Sequence, residues 1–131
     1  MRSGFSQPVL ELILARSQGQ CEIMSQVCSF HVSDVHHRRP RGMGGTNEPS
    51  ANLASNGLAV CRRCHMWTES QRTWALENGF ILKQGMTDPQ EAAIWWRCNR
   101  DHFGNAAKVW CLLLNDGSRK IIGNQDITPI F

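Results

Sequence analysis

Apolar and polar residues come in short blocks along this chain, and each block suggests its own element. Residues 9–17, VLELILARS, put apolar side chains at helical spacing and run into Gly19, predicting a short amphipathic helix. The stretch from Cys21 to Phe30 reads as a turn-rich knuckle. FHVSDVHH carries β-branched Val32 and Val35 and predicts a strand ending at its two histidines. Residues 38–55, rich in Gly, Pro, Asn and Ser, predict a long loop. NGLAVCRRCHMWTESQRTWALENG predicts an extended piece followed by one helix over about residues 62–77, stopped by Asn78-Gly79. FILKQG predicts a short strand. TDPQEAAIWW reads two ways: Asp88, Pro89 and Glu91 suit a capped helix start, whereas AAIWW suits an extended segment. KVWCLLLNDGSRKII predicts a β-hairpin turning at NDGS.

The chain has 131 residues, which fits a single domain of α+β class. Between Ser33 and Ser55 the only bulky apolar residues are Val35, Met43 and Leu53. A segment so poor in core needs another source of rigidity, and a bound metal is the usual one. The net charge of +3 is mild, but its distribution is uneven: Arg38, Arg39 and Arg41 stand close together with no acid among them, and Arg62 and Arg63 follow. No apolar run approaches the ~18 residues of a membrane span, and no secretory signal is visible at the start. The expected compartment is a reducing cytoplasm, where the six cysteines are metal ligands or buried thiols rather than disulfides.

Cys61 and Cys64 form C-x-x-C, and Cys21 and Cys28 form C-x6-C. Together the two pairs suit a closed, structural, four-thiolate zinc site; the competing reading is four reduced core cysteines. Met24 sits where a tighter knuckle would place its second cysteine, so Cys28 has to fill that role. Cys98 and Cys111 have no partner at ligand spacing and read as core thiols. Trp67 and Trp74, seven apart on the predicted helix, read as packing residues, and so do Trp95, Trp96 and Trp110.

The order DVHHRRPRGMGG, then SNGLAVCRRCH, resembles the HNH endonuclease family, in particular its small phage-type members with a four-cysteine zinc site. The likeness covers roughly residues 21–75. It implies a zinc-stabilised ββα-metal core over about residues 21–78, an N-terminal helix, and a strand-rich C-terminal extension over about 79–131 that includes a β-hairpin. It also implies one exchangeable divalent ion, magnesium, manganese or a similar metal, held by His36 and His65, with His37 as general base and Asn56 as the middle motif. Neighbouring strand residues face opposite ways, so one imidazole can hold an ion while the next turns toward water. Histidine suits the base role because its ordinary pKa is ~6.5. The Asn56 amide can donate and accept together, and so tie the long loop to the strand; Asn47 and Asn52 read as plain loop residues. Glu69 stands one helical turn after His65 and either completes the ion site or is a surface glutamate. Asp34 shares a strand face with His36 and is a lesser ligand candidate; His31 and His102 fit no motif.

Under that resemblance the substrate is DNA, cut by hydrolysis of a phosphodiester. Arg38, Arg39 and Arg41 are expected to hold flanking phosphates, and GMGG to let the backbone approach closely. The phage likeness adds a terminase partner and work beside genome packaging in the host cytoplasm. The reading from another class is a non-catalytic zinc module that binds nucleic acid or protein.

Overall fold

The computed structural model describes residues 4–40, 49–83, 88–100, 106–122 and 128–130. It is a mixed α+β chain with two small sheets. Helix α1 spans Gln7–Ser17, with the Ser6 hydroxyl accepting from Val9 N–H at its start and Gln18 in the left-handed region at its end. Strands β1 (Asp34–His37) and β2 (Gly57–Val60) pair antiparallel, with His36 opposite Leu58 and His37 opposite Gly57. Helix α2 (Arg62–Ser70) follows β2 directly, and α3 (Arg72–Glu77) follows α2. The second sheet holds β3 (Ile94–Arg100), β4 (Ala106–Leu113), β5 (Arg119–Ile121) and β6 (Thr128–Ile130), with β4 antiparallel to each of the other three.

Strand β2 is buried at all four positions because it separates two apolar clusters. Leu58 and Val60 face the larger one, which also takes in Phe80, Ile94, Trp96 and Leu113. Ala59 faces the smaller one, with Phe5, Ile13, Val35 and Ala54. The period of two along a strand makes that division. Gly57 leaves room for its neighbours: a Cβ there would lie 2.5 Å from Ile13 Cδ1 and 2.9 Å from Phe5 Cζ, so both side chains would have to shift. The larger cluster joins residues of the expected zinc core to residues of the C-terminal sheet.

A buried ion pair fastens these layers. Arg16 reaches Glu22 through Nε at 2.7 Å and Nη2 at 2.9 Å, both side chains being fully buried. Glu22 also accepts from Trp96 Nε1 at 2.7 Å and from Ala59 N–H at 2.8 Å. One carboxylate thus ties α1, the knuckle, β2 and β3 with every strong acceptor direction used, which a buried charge requires.

Several expectations change. The single helix over 62–77 is two helices, broken at Gln71 (φ −112°, ψ 63°). The Ser70 hydroxyl donates back to Trp67 O at 3.0 Å and competes with the helical ladder. The break lets Trp74 pack edge-on to Trp67 and tilt against Phe80, with ring centres 6.5 and 5.1 Å apart. The strand expected at FILKQG is absent from residues 80–83. Their backbone groups are engaged elsewhere: Phe80 and Ile81 N–H donate to Ala75 O, and Leu82 N–H donates to Arg38 O. The two-way reading of TDPQEAAIWW resolves into both, a short 3-10 turn (Pro89–Glu91) capped by Asp88, then β3. The NDGS hairpin forms as expected between β4 and β5. Trp96 is core, but Trp110 is 37 % exposed. No described helix is long and apolar enough to cross a membrane.

Candidate metal centres

Two clusters of ligand-type side chains flank α2. In the first, Cys21, Cys28, Cys61 and Cys64 bring their sulfurs within 4.8 Å of one another. Cys61 and Cys64 sit at the start of α2, where the Cys61 sulfur caps the helix by accepting from Cys64 N–H at 3.3 Å. Cys21 and Cys28 come from the knuckle, whose irregular backbone includes Met24 at φ 53° and Phe30 at φ 74°. A tetrahedron with zinc–sulfur bonds of about 2.3 Å has edges of about 3.8 Å, and the Cys28 and Cys61 sulfurs are 3.8 Å apart. The donor set therefore fits a metal ion such as zinc.

The surroundings favour thiolates. Ser25 N–H reaches Cys64 Sγ at 3.3 Å, Ser29 N–H reaches Cys61 Sγ at 3.4 Å and Phe30 N–H reaches Cys28 Sγ at 3.3 Å. Without a cation four sulfurs so close cannot all ionise: Cys21 is pulled down to about 2 by hydrogen bonds from Cys28 and Cys64, while bonding to Cys21 pushes Cys28 far up and Cys64 up to about 12. A dication removes that conflict. Lys108 adds positive charge nearby; burial draws it down to about 8 against the pull of the Cys64, Cys21 and Cys28 thiolates.

The second cluster is His36, His65 and Glu69, each offering one ligand atom, all within 4.8 Å of one another. His36 is buried on β1, and its Nε2 lies 2.8 Å from Phe80 O. A carbonyl only accepts, so Nε2 carries the proton and Nδ1 keeps its lone pair. That Nδ1 faces Glu69 Oε1 at 3.9 Å. Burial, with smaller contributions from His65, His37 and Arg38, lowers the His36 pKa to about 4, so the ring is neutral at ordinary pH, as a ligand must be. His65 and Glu69 stand four residues apart on α2 and share a face. They line an open depression of about 440 Å³ with Met66 and Ser70. A second depression of about 360 Å³ shares Met66 and Ser70 and adds Val27, Arg63 and Trp67.

His37 points away from this cluster. Its ring stacks on Phe5 at 4.3 Å and 16°, and its Nε2 lies 3.0 Å from Asn52 Oδ1. Asn56 is fully buried and does the tying its chemistry suggests: Oδ1 accepts from Arg39 N–H at 2.8 Å, while Nδ2 donates to Ala51 O at 2.9 Å and Arg39 O at 3.3 Å. The loop is thereby fastened to the end of β1.

The phosphate-binding expectation fails at Arg38. Its guanidinium is wholly buried and donates to the carbonyls of Gly79, Ser55, Pro89 and Ala92 at 2.9 to 3.2 Å. It crosslinks β1, the loop and the Pro89 turn, and presents nothing to solvent. Arg39 is only 5 % exposed, which does not fit a phosphate contact either. Arg41, the GMGG turn, Asn47 and His102 lie outside the described residues, as does the side chain of Cys98. Cys111 is buried, as expected, and His31, which fits no motif, is exposed.

Three participants were not legible as such. Asn52 is no plain loop residue, since it holds His37. Phe5, at the start of the chain and part of no motif, supplies the stacking ring. Asp34 accepts from His65 Nδ1 at 2.9 Å and from Arg62 at 2.8 and 3.0 Å. Its face on β1, two residues before His36, was the available signal. No protein-family description, curated protein or solved structure matches the chain.

Proposed function

We propose that the protein is a metal-dependent DNA endonuclease of the HNH type, its fold held by zinc on Cys21, Cys28, Cys61 and Cys64. The supporting observation is the convergence of His36, His65 and Glu69 beside a strand end whose next residue is His37. The order of two short antiparallel strands followed by a helix agrees with a ββα-metal core.

In this reading His36, His65 and Glu69 would hold a magnesium or manganese ion, which would supply charge stabilisation to the phosphate and the departing 3′-oxygen. His37 takes a proton from the attacking water. Asn52 at Nε2 and Phe5 against the ring face hold the His37 imidazole in place for that transfer. Asn56 keeps the strand end and the loop in register. Arg63, exposed on the depression next to the ligands, takes over part of the phosphate role that Arg38 and Arg39 cannot fill. By the phage likeness, the setting is genome packaging in a host cytoplasm beside a terminase.

The test is cleavage of plasmid DNA by the zinc-loaded chain with added magnesium or manganese. His37→Ala is expected to abolish cutting and keep the zinc content. Cutting at the wild-type rate would overturn the base assignment. Burial of Arg38 and Arg39 is the observation that favours the other reading, a non-catalytic zinc module. That module would need the cysteines and not the histidines, and would leave DNA uncut whichever divalent ion is added.

A further inference from the structure

Asp34 has no assigned role in the proposed reaction, yet it joins both metal clusters through α2. Arg62 follows the zinc-type ligand Cys61, and His65 follows Cys64. Both turn to the same carboxylate, Arg62 at 2.8 and 3.0 Å and His65 Nδ1 at 2.9 Å. A carboxylate only accepts, so it fixes the proton of His65 on Nδ1. The lone pair is then on Nε2, the nitrogen left for an ion shared with His36 and Glu69. We propose that Asp34, itself steadied by Arg62, is the positioning residue that sets the affinity of the His36–His65–Glu69 centre for its divalent ion.

The proposal rests on the nuclease reading for the ion, and adds that Asp34 acts through His65 without touching the metal. The alternative placement, Asp34 as a ligand, conflicts with its geometry, since both oxygens are already engaged by Arg62 and His65. A carboxylate on the far nitrogen of a ligating imidazole orients the ring and raises its basicity, and removing such a partner typically weakens metal binding by about 10- to 100-fold.

The experiment is calorimetric titration of manganese into the full-length, zinc-loaded chain, run beside cleavage rates over a range of manganese concentration. Asp34→Ala should raise the manganese Kd by about 10- to 100-fold with zinc content unchanged, and saturating manganese should restore most of the cleavage rate. Asp34→Asn keeps an acceptor for His65 but loses the charge, so it should fall between wild type and Asp34→Ala. This near-isosteric variant decides the matter if the alanine variant does not fold. Arg62→Ala, altering a side chain 68 % exposed, should have a smaller effect of the same sign. Wild-type manganese affinity in both Asp34 variants, while wild type binds and cuts, overturns this inference and leaves the nuclease reading standing. A wild-type chain that binds no manganese beyond its zinc overturns both.

Discussion

Nε2 of His36 donates to the carbonyl of Phe80 across 2.8 Å, joining β1 to a segment 44 residues further along the chain. The bond holds the ring in one tautomer, aims Nδ1 at Glu69, and occupies a carbonyl that the expected strand at residues 80–85 would have used in a ladder. It also has a cost in acid, because a second proton on this ring would be a buried charge.

That cost has a defined direction. The His36 pKa lies near 4 in the folded chain, against 6.5 for an ordinary histidine. Between those values the unfolded chain binds more protons, so stability is fully present above about pH 6.5 and is lost as pH falls toward 4. At roughly 1.4 kcal/mol per unit, the loss is on the order of 3 kcal/mol. A ring-proton NMR titration of the zinc-loaded chain without a second ion should give a His36 midpoint near 4. A midpoint at or above 6 would contradict the buried setting.

Arg38 is expected to matter for folding and not for DNA contact. Arg38→Ala takes a donor from four carbonyls, of which Pro89 O keeps the Ala92 N–H, and each buried group left unsatisfied costs about 1–3 kcal/mol. A loss of at least about 3 kcal/mol in urea unfolding is expected. A variant of wild-type stability with weakened DNA binding would return Arg38 to the phosphates.

The Arg16–Glu22 pair gives a second stability test in a different layer. Glu22→Ala strands the Arg16 guanidinium and removes the acceptor of Trp96 Nε1 and Ala59 N–H. Breaking one side of a buried pair costs about 3–5 kcal/mol, so the midpoint of denaturation should fall sharply. An exposed pair would give under about 1 kcal/mol, and a loss that small would show that the pair is open to water.

Cys64→Ser removes one sulfur from the four-thiolate set and the acceptor of Ser25 N–H. Zinc content by elemental analysis should drop from one ion per chain toward none. A strong chelator should unfold the wild-type knuckle and the first turn of α2 together, since a structural site contributes folding energy directly. Full zinc retention by the serine variant would rule out this set of ligands.

Asn52→Ala should slow cleavage by roughly ten-fold while leaving zinc and manganese binding as they are, because it frees His37 Nε2 and touches neither metal cluster. Unchanged cleavage would mean that Asn52 does not orient the base.

The sequence by itself determined what depends on neighbours close in the chain. The helix α1 and its stop just before Gly19, the strand ending at His36 and His37, the C-x-x-C at the first turn of α2, the i, i+4 relation of His65 and Glu69, and the NDGS hairpin all follow from spacing and turn chemistry over a few residues. The tying role of Asn56 was legible for a related reason: a lone amide at a loop end can donate and accept at once. Tertiary structure alone decided the rest. Three arginines before a glycine-rich turn look alike in a sequence, but a pocket of four carbonyls drawn from Ser55, Gly79, Pro89 and Ala92 made Arg38 a buried crosslink. Asp34, Asn52 and Phe5 took their places beside His65 and His37 only when distant segments met. Burial and hydrogen-bond partners are properties of the packed chain, and residue spacing carries no record of which carbonyl or ring will arrive from elsewhere.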